Sequence, residues 1–304
     1  MNYAPIGLFV YNRPWHTRQT VDALLANAGA AKTPLHIFSD APKGVAPRQA
    51  VSEVRSYIRT IGGFGSVTII ERKTNFGLAR SIIDGVTQLC EEYGRVIVME
   101  DDLVTSPSFL EYMNAALDRY ANDEKVFQVS GYMFDVPELR GASSALFLPF
   151  PTSWGWATWK RAWDRFDPLA SGWEALRTDK DLRRRFNLDG TYDYATMLVR
   201  QMAGLLDSWA VRWCWTVFKA KGLVLFPPVS LVSNTGFDGS GSHGRGWLRR
   251  FSKIRTVLPP PEIDLPESII LDAGLYAHVK KALWRQNGGF IAPVVDRIRC
   301  LLKH

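Results

Sequence analysis

The alternation of strand-like and helix-like segments between Ile6 and Lys125 is the strongest constraint on the fold. The strand-like runs, such as IGLFVY, are continuously apolar, which is typical of strands covered on both faces. The segments between them carry apolar residues three or four positions apart, and Pro14 suits the first turn of the first predicted helix. This order predicts an α/β fold with a mainly parallel central sheet flanked by helices on both faces.

Polar and charged side chains follow three of the predicted strands. Arg13 comes just after the first strand, Asp40 ends the second, and Glu100–Asp102 end the fourth, in the run VIVMEDD. In open α/β sheets, ligands bind at the carboxyl ends of the strands, and those ends meet at one edge. The sequence therefore predicts a functional site at that edge.

The acid triplet Glu100–Asp102 needs a physical explanation, because adjacent carboxylates repel and are costly to take out of water without a partner. Either the strand ends in open solvent or a cation neutralises it. Mn²⁺ and Mg²⁺ prefer oxygen ligands, usually one or two carboxylates with substrate phosphates. A metal held in this way neutralises a diphosphate as it leaves. The triplet therefore favours a Mn²⁺ or Mg²⁺ cofactor.

Other features of the chain argue against several function classes. It has no GxxxxGK[ST] motif and no GxGxxG after the first strand, which disfavours P-loop NTPases and dinucleotide-binding folds. The three cysteines (Cys90, Cys214 and Cys300) are far apart, which argues for reduced thiols and against structural zinc. The net charge of +7 favours anionic partners such as nucleotides. Nucleic acid is not a predicted partner, because the basic residues are not concentrated in one arm.

The order of the motifs NRP, SDAP, NFGLARS and VIVMEDD resembles the nucleotide-sugar-binding half of GT-A glycosyltransferases. It is most similar to bacterial family 2-like enzymes and to the N-acetylglucosaminyltransferase I type, whose metal motif is EDD. PFPTSWGWATWKRAW and NTGFDGSGSHG resemble later segments of that family. The resemblance implies a GT-A fold and a metal-dependent hexosyl or N-acetylhexosaminyl transferase. The donor would be a nucleotide-diphosphate sugar, with UDP favoured, and the acceptor a glycan or glycolipid of bacterial surface polysaccharide or glycolipid synthesis.

The same resemblance implies roles for the acids and for a later histidine. Asp102 would be the direct metal ligand, and His243 of the glycine-rich loop would contact the metal or the diphosphate. Asp101 would bind the ribose or reach the metal through water, and Glu100 would face the sugar or the ribose. An ordinary loop histidine is the alternative for His243.

It also implies donor contacts from two other strand ends. Asp40 would accept a hydrogen bond from the base, while Arg13 and Arg80 would face the nucleotide and its phosphates. The alternative for Asp40 is the capping of a turn, and for Arg80 a solvated position on a helix.

An inverting sugar transfer needs a carboxylate that takes the proton of the acceptor hydroxyl. In the family resembled, this base stands at the start of a helix beyond the Gly-Trp segment, and Asp207 in GLLDSWAVRW matches that position. A capping role for Asp207 is the alternative, because aspartate is a good helix N-cap. Asp193 is the second candidate for the base.

Tryptophans are dense in the second half of the chain, and aromatic rings suit the apolar faces of sugars. Trp154, Trp156 and Trp159 are candidates for acceptor or donor-sugar contacts, and we expect two of the three to be core residues. Trp156 is our choice for the sugar contact, because Gly155 before it permits close approach of a substrate.

The predicted organisation is a GT-A domain over residues 1–250 and a helical C-terminal appendage over 251–304. The domain divides into a nucleotide-sugar-binding half (1–125) and an acceptor-side half (126–250). No segment resembles a transmembrane helix or a secretory signal, so we expect a cytoplasmic location. The appendage is basic and amphipathic, so peripheral contact with the inner membrane face is open, although packing against the main domain or a second subunit is favoured.

Two other functions stay open at this point. A sugar-1-phosphate nucleotidyltransferase would need a glycine-rich signature and a lysine after the first strand, and the NRP segment supplies neither. A non-catalytic carbohydrate-binding protein would not need the EDD triplet or Asp207.

Overall fold

The computed structural model describes residues 3–238 and 262–286. Its centre is an eight-stranded sheet of order β3-β2-β1-β4-β8-β6-β9-β7, and β5 and β10 form a separate two-stranded sheet. The strands are β1 (Ile6–Val10), β2 (Pro34–Ser39), β3 (Ser66–Glu71), β4 (Arg95–Glu100), β5 (Leu103–Thr105), β6 (Val126–Ser130), β7 (Leu146–Leu148), β8 (Trp156–Trp159), β9 (Leu223–Phe226) and β10 (Val232–Asn234).

Nine helices are described, most of them flanking the central sheet and two of them in a third hydrophobic cluster that contains no strand residue. They are α1 (Pro14–Leu25), α2 (Arg48–Ile58), α3 (Leu78–Tyr93), α4 (Phe109–Arg119), α5 (Lys160–Trp163), α6 (Lys180–Phe186), α7 (Tyr194–Met202), α8 (Trp209–Lys219) and α9 (Ala273–Gln286). Side chains of α1, α2 and α4 enter one hydrophobic cluster, and those of α3, α8 and α9 enter the other. Neighbouring residues of β4 divide between them, with Ile97 in the first and Val98 in the second. This follows from the alternation of side chains along a strand.

The parallel half of the sheet confirms the predicted strand–helix order. Strand β1 pairs in parallel with β2 and with β4, and β2 pairs in parallel with β3. The register sets Val10 against Ser39 and Phe9 against Glu100, so three strands end at the same edge. Pro14 is in the first turn of α1, where its missing N–H is not needed.

The second half of the chain completes the same sheet. The tryptophan-dense segment supplies β8, which lies antiparallel between β4 and β6. Strand β9 pairs in parallel with β6, and β7 pairs antiparallel with β9. The α/β fold class is therefore confirmed as a mostly parallel sheet with antiparallel insertions.

Helix α9, within the described residues 262–286 of the predicted appendage, packs against the main body of the protein. Val279, Ala282 and Leu283 are buried in the core cluster that α3 and α8 also line. Lys280 reaches Asp189 at 2.7 Å. Residues 287–304 and the predicted boundary at 250 lie outside the described residues. Within the part of the chain that is described, no helix is long and apolar enough to span a bilayer.

Candidate active site

The acid triplet lies at the carboxyl end of β4. Glu100 is the last residue of the strand, and Asp101 and Asp102 form the turn that leads into β5. Asp101 is 4% exposed and Asp102 is 9% exposed. The backbone N–H of Tyr11 donates a hydrogen bond to Asp101 Oδ2 at 3.3 Å. The alternative that this strand ends in open solvent is therefore wrong.

The guanidinium of Arg13 is the cation that these carboxylates contact. Its Nη2 forms an ion pair with Asp101 Oδ1 and lies 2.9 Å from Asp102 Oδ2. Burial by itself would lower the pKa of Arg13, but the charges of Asp101 and Asp102 raise that pKa above its ordinary value. Sequence reasoning assigned Arg13 to the donor and did not foresee this pairing. Its contact with donor phosphates stays a prediction.

One guanidinium does not balance three acids. Burial raises the pKa of Glu100 to about 8, with further increases from the charges of Asp102 and Asp101 and an opposing decrease from Arg13. Burial also raises the pKa of Asp101, against the effect of Arg13. The raised pKa means that the protonated form of Glu100 is favoured here, and that a further cation would be needed to keep all three acids charged.

The strand pair β5–β10 brings a glycine against the second aspartate. The backbone N–H and the hydroxyl of Thr235 donate hydrogen bonds to the backbone carbonyl of Asp102 at 2.8 and 3.1 Å. A Cβ atom on Gly236 would lie 2.1 Å from Asp102 Oδ2 and 3.0 Å from Arg13 Nη1. Only glycine lets the chain pass so close to this carboxylate. Sequence reasoning quoted the NTG motif but gave Gly236 no role.

The oxygen donors present suit a divalent cation that also takes ligands from a substrate. The described residues gather no group of three or more His, Cys, Asp or Glu side chains that could hold a metal by themselves. Asp101 and Asp102 supply two carboxylates, and Mg²⁺ and Mn²⁺ commonly complete such a set with phosphate oxygens and water. The space that a Cβ on Gly236 would fill lies directly beside Asp102. His243, the other expected metal ligand, lies outside the described residues.

Asp40 holds the loop that precedes α3. Its carboxylate accepts hydrogen bonds from the backbone N–H groups of Ala41, Phe76 and Gly77, each at 2.9 Å, and from Asn75 Nδ2 at 3.1 Å. The capping alternative for Asp40 is therefore what the structure shows. Both oxygens of Asp40 already accept hydrogen bonds from the chain. Recognition of the nucleotide base by Asp40 stays a prediction.

Arg80 lies in the first turn of α3 and is exposed. Its guanidinium is 3.9 Å from the centre of the Phe76 ring, and that of Arg72 is 4.1 Å from the same ring. Both contacts are close enough for cation–π attraction. Arg80 thus lies at the same sheet edge as Asp40, and its contact with donor phosphates stays a prediction.

Asp207 immediately precedes α8 but does not cap it. The N-cap is Ser208, whose hydroxyl accepts from the N–H of Val211 at 3.4 Å. Asp207 is exposed, makes no hydrogen bond or ion pair with the described residues, and has Oδ2 3.4 Å from where a Cβ on Gly77 would lie. The capping alternative for Asp207 is therefore wrong. Its carboxylate is exposed at this edge, and its charge acts on the neighbouring Arg212.

Asp193, the second candidate for the base, has a structural role instead. It is the N-cap of α7 and accepts from the N–H of Thr196 at 3.2 Å and from Asn187 Nδ2 at 3.0 Å. Arg183 lies 3.6 Å away. These contacts all involve Oδ1, and they explain the place of Asp193 at the start of α7.

The choice of Trp156 for a sugar contact is wrong. Its ring is 0% exposed and stacks on Trp209 with the ring centres 4.9 Å apart. Gly155 is needed for packing, since it has a φ of +58° and a Cβ there would lie 2.8 Å from Val232 Cγ2. Trp159 is also buried, so the expectation that two of the three tryptophans are core residues is confirmed.

Trp154 is the partly exposed member of the three. Its ring contacts Tyr132 with the centres 4.5 Å apart and Phe237 with the centres 5.5 Å apart. Phe237 follows Gly236, which lies against Asp102. Trp154 is therefore the tryptophan of this group that lies near the acid cluster.

Comparison with known proteins gives a family assignment. The GNT-I family profile matches residues 1–188, which is more than half of the chain. Among solved structures, S. aureus TarS has 13% sequence identity and a TM-score of 0.32, over 42% of this chain and 21% of TarS. TarS 1-349 has 12% identity and a TM-score of 0.36, over 52% of this chain and 47% of that one. The chain thus spans less than half of either structure, and no curated protein matches it.

The family match covers β1, the acid triplet at the end of β4, β8 and α6, whereas Asp207 and Gly236 lie beyond the matched residues. It agrees with the fold class and with the acids brought together at one edge of the sheet. The chain belongs to the GNT-I family.

Proposed function

We propose that this protein is a glycosyltransferase that moves a sugar from a UDP-sugar to an acceptor hydroxyl, with inversion at the anomeric carbon and with the help of Mn²⁺ or Mg²⁺. The observation that supports the proposal is the pair of buried acids at the end of β4, with Asp207 lying against the loop that Asp40 holds at the end of β2. Asp101 and Asp102 are buried and charge-paired at the end of β4, whereas Asp207 is exposed and without a hydrogen-bond partner among the described residues.

The donor would bind along the carboxyl ends of β1, β2 and β4. Asp102, with Asp101, would hold the metal ion, which would supply neutralisation of the charge on the departing diphosphate. Arg13 and Arg80 lie at the same edge and would bind phosphate oxygens, to which guanidinium groups donate paired hydrogen bonds. Glu100 would face the ribose or the sugar, and Asp40 would place the loop next to the base.

Asp207 would act as the general base. It would take the proton of the acceptor hydroxyl as that oxygen forms a bond to the anomeric carbon and the bond to the diphosphate oxygen breaks. The nucleoside diphosphate would leave with the electron pair of that bond. A single displacement of this kind inverts the configuration at the anomeric carbon. Trp154, whose ring contacts Phe237 next to Gly236, would receive an apolar face of a sugar.

We further propose that the acceptor is a glycan or glycolipid in the assembly of a bacterial surface polysaccharide on the cytosolic side. The family resemblance and the net charge of +7 support this setting, since basic proteins favour anionic partners. The domain organisation proposed is a GT-A unit over residues 1–250, followed by a helical appendage that packs on it through α9.

The experiment that tests the function is a screen of nucleotide sugars for thermal stabilisation, with and without Mn²⁺, followed by assays of donor hydrolysis. We expect one UDP-sugar to raise the melting temperature only when the metal is present, and to release UDP slowly in the absence of acceptor. Stabilisation without any turnover would favour a carbohydrate-binding protein. No stabilisation by any nucleotide sugar would contradict the proposal.

A further inference from the structure

Arg13 and a divalent cation compete for the same oxygen. Arg13 Nη2 lies 2.9 Å from Asp102 Oδ2 and is ion-paired with Asp101 Oδ1 at the same time. A metal ion ligated by Asp102 would use a lone pair of that carboxylate and would place a second positive charge beside the guanidinium. Like charges this close repel strongly in a buried site, because the effective dielectric constant there is lower than in water. The guanidinium at Oδ2 therefore weakens the binding of a divalent cation to Asp102 in its present position.

The surroundings leave the carboxylates little freedom to avoid this conflict. Two hydrogen bonds from Thr235 hold the backbone carbonyl of Asp102, and Gly236 lies directly against its side chain. The second oxygen of Asp101 accepts from the N–H of Tyr11. The group that can move is therefore the side chain of Arg13.

The backbone of Arg13 is held in place, while its side chain extends to the acid cluster. Its carbonyl oxygen accepts from the N–H and the hydroxyl of Thr17 at 3.0 and 2.9 Å, which anchors it at the start of α1. The side chain keeps 17% of its surface exposed. It can thus exchange a carboxylate partner for a phosphate, since both match the guanidinium fork.

We propose that Arg13 is the resident counter-cation of Asp101 and Asp102, and that a donor's diphosphate must draw its guanidinium away before a divalent ion binds tightly. This inference rests on the proposed metal-dependent function and adds an order to it. The nucleotide diphosphate and the metal bind cooperatively, because each removes an obstacle to the other. By thermodynamic reciprocity, the metal strengthens nucleotide binding by the same factor.

The test is calorimetric titration of Mn²⁺ into the full chain, alone and with saturating UDP. In the wild type we expect UDP to tighten Mn²⁺ binding by about tenfold or more, within the usual range of such coupling. Arg13→Gln removes the competing charge, so it should bind Mn²⁺ without UDP about tenfold more tightly than the wild type. The gain from UDP in that variant should shrink to less than about threefold. Arg13→Lys keeps the charge and should retain weak binding of the metal alone.

Arg18→Gln is the matched control, because Arg18 lies on α1 and contacts the ring of Tyr57 instead of an acid. It should behave as the wild type. The inference is overturned if Mn²⁺ binds Arg13→Gln no more tightly than the wild type, while UDP and Mn²⁺ still bind together. It is also overturned if the wild type shows no coupling between UDP and Mn²⁺. This second outcome can be measured even if Arg13→Gln does not fold. Absence of Mn²⁺ binding in every protein, with and without UDP, would remove the metal-dependent function itself.

Discussion

The carboxylate of Asp40 accepts a hydrogen bond from the backbone N–H of Gly77 at 2.9 Å, which ties the end of β2 to the start of α3. Gly77 in turn lies against Asp207, whose Oδ2 is 3.4 Å from where a Cβ on Gly77 would be. Gly77 has a φ of +73°, a conformation that glycine adopts without strain. Gly77 therefore lies between Asp207, the proposed base, and Asp40, which holds the loop before α3.

Replacing Asp40 with alanine is expected to destabilise the protein. The N–H groups of Phe76 and Gly77 lose their acceptor, which costs about 1–3 kcal/mol when such groups stay shielded from water. Urea denaturation measures the change in the free energy of unfolding. Asp118→Ala, which breaks the surface ion pair with Arg95, is the control and should cost about 0–1 kcal/mol. Equal losses in the two variants would argue against the organising role of Asp40.

Asp207→Asn is expected to retain donor binding and to lose turnover. An amide cannot take the proton of the acceptor hydroxyl, and general base catalysis is worth about 10²–10⁴-fold in rate. Steady-state kinetics with calorimetry of UDP-sugar binding separates the two effects. Asp193→Asn is the matched control, since Asp193 caps α7 and should alter turnover little. Near-normal turnover in Asp207→Asn would remove this residue from the mechanism.

Asp102→Asn is expected to weaken metal-dependent binding of UDP by about tenfold or more, because a charged ligand of the proposed metal is lost. Binding of UDP without metal should change much less. The measurement is calorimetry of UDP in the presence and absence of Mn²⁺. Asp118→Asn removes one carboxylate on α4 and controls for net charge. A full metal effect that survives in Asp102→Asn would place the metal elsewhere.

The two tryptophans of the Gly-Trp segment should respond differently to replacement. Trp156→Ala opens a cavity in the core and should cost about 3–5 kcal/mol of stability. Trp154→Ala should cost less and should instead raise the acceptor concentration needed for half-maximal rate, while Trp154→Phe keeps an aromatic surface. Melting curves and acceptor titrations measure both. If a folded Trp156 variant, and not the Trp154 variant, needed more acceptor for half-maximal rate, Trp156 would be the residue that contacts the acceptor.

Acid pH is expected to destabilise the fold through His36. Burial lowers the pKa of His36 below its ordinary value of 6.5, against a smaller opposing effect of Glu92, and its Nε2 lies 3.1 Å from the hydroxyl of Tyr93. Below pH 6.5 the unfolded chain binds a proton that the folded chain does not, so stability is lost as the pH falls through this range. Urea unfolding at about pH 7.5 and about pH 5.5 should show a smaller loss in His36→Gln. An identical loss in that variant would place the effect on other groups.

The sequence predicted the layered fold because local pattern and long-range pairing agree there. Continuous apolar runs such as Ile6–Val10 become strands buried on both faces, and the helical periodicity of Leu78–Tyr93 gives one buried face. The position of the acids at the carboxyl edge of the sheet was predicted from the same strand–helix order. The GT-A resemblance came from the order of the short motifs, and the family match agrees with it.

The sequence by itself therefore determined the strand–helix alternation, the sheet edge where the strands end, and the residue types gathered there. Only the tertiary structure decided which of them meet. In the structure Arg13 pairs with Asp101 and Asp102, and Gly236 lies against Asp102. Trp156 is buried, whereas Trp154 is partly exposed. Ser208, and not Asp207, caps α8. The physical reason is that these contacts join positions far apart in the chain. Spacing along a sequence fixes which face of an element a side chain occupies, but not which side chain from another element it meets.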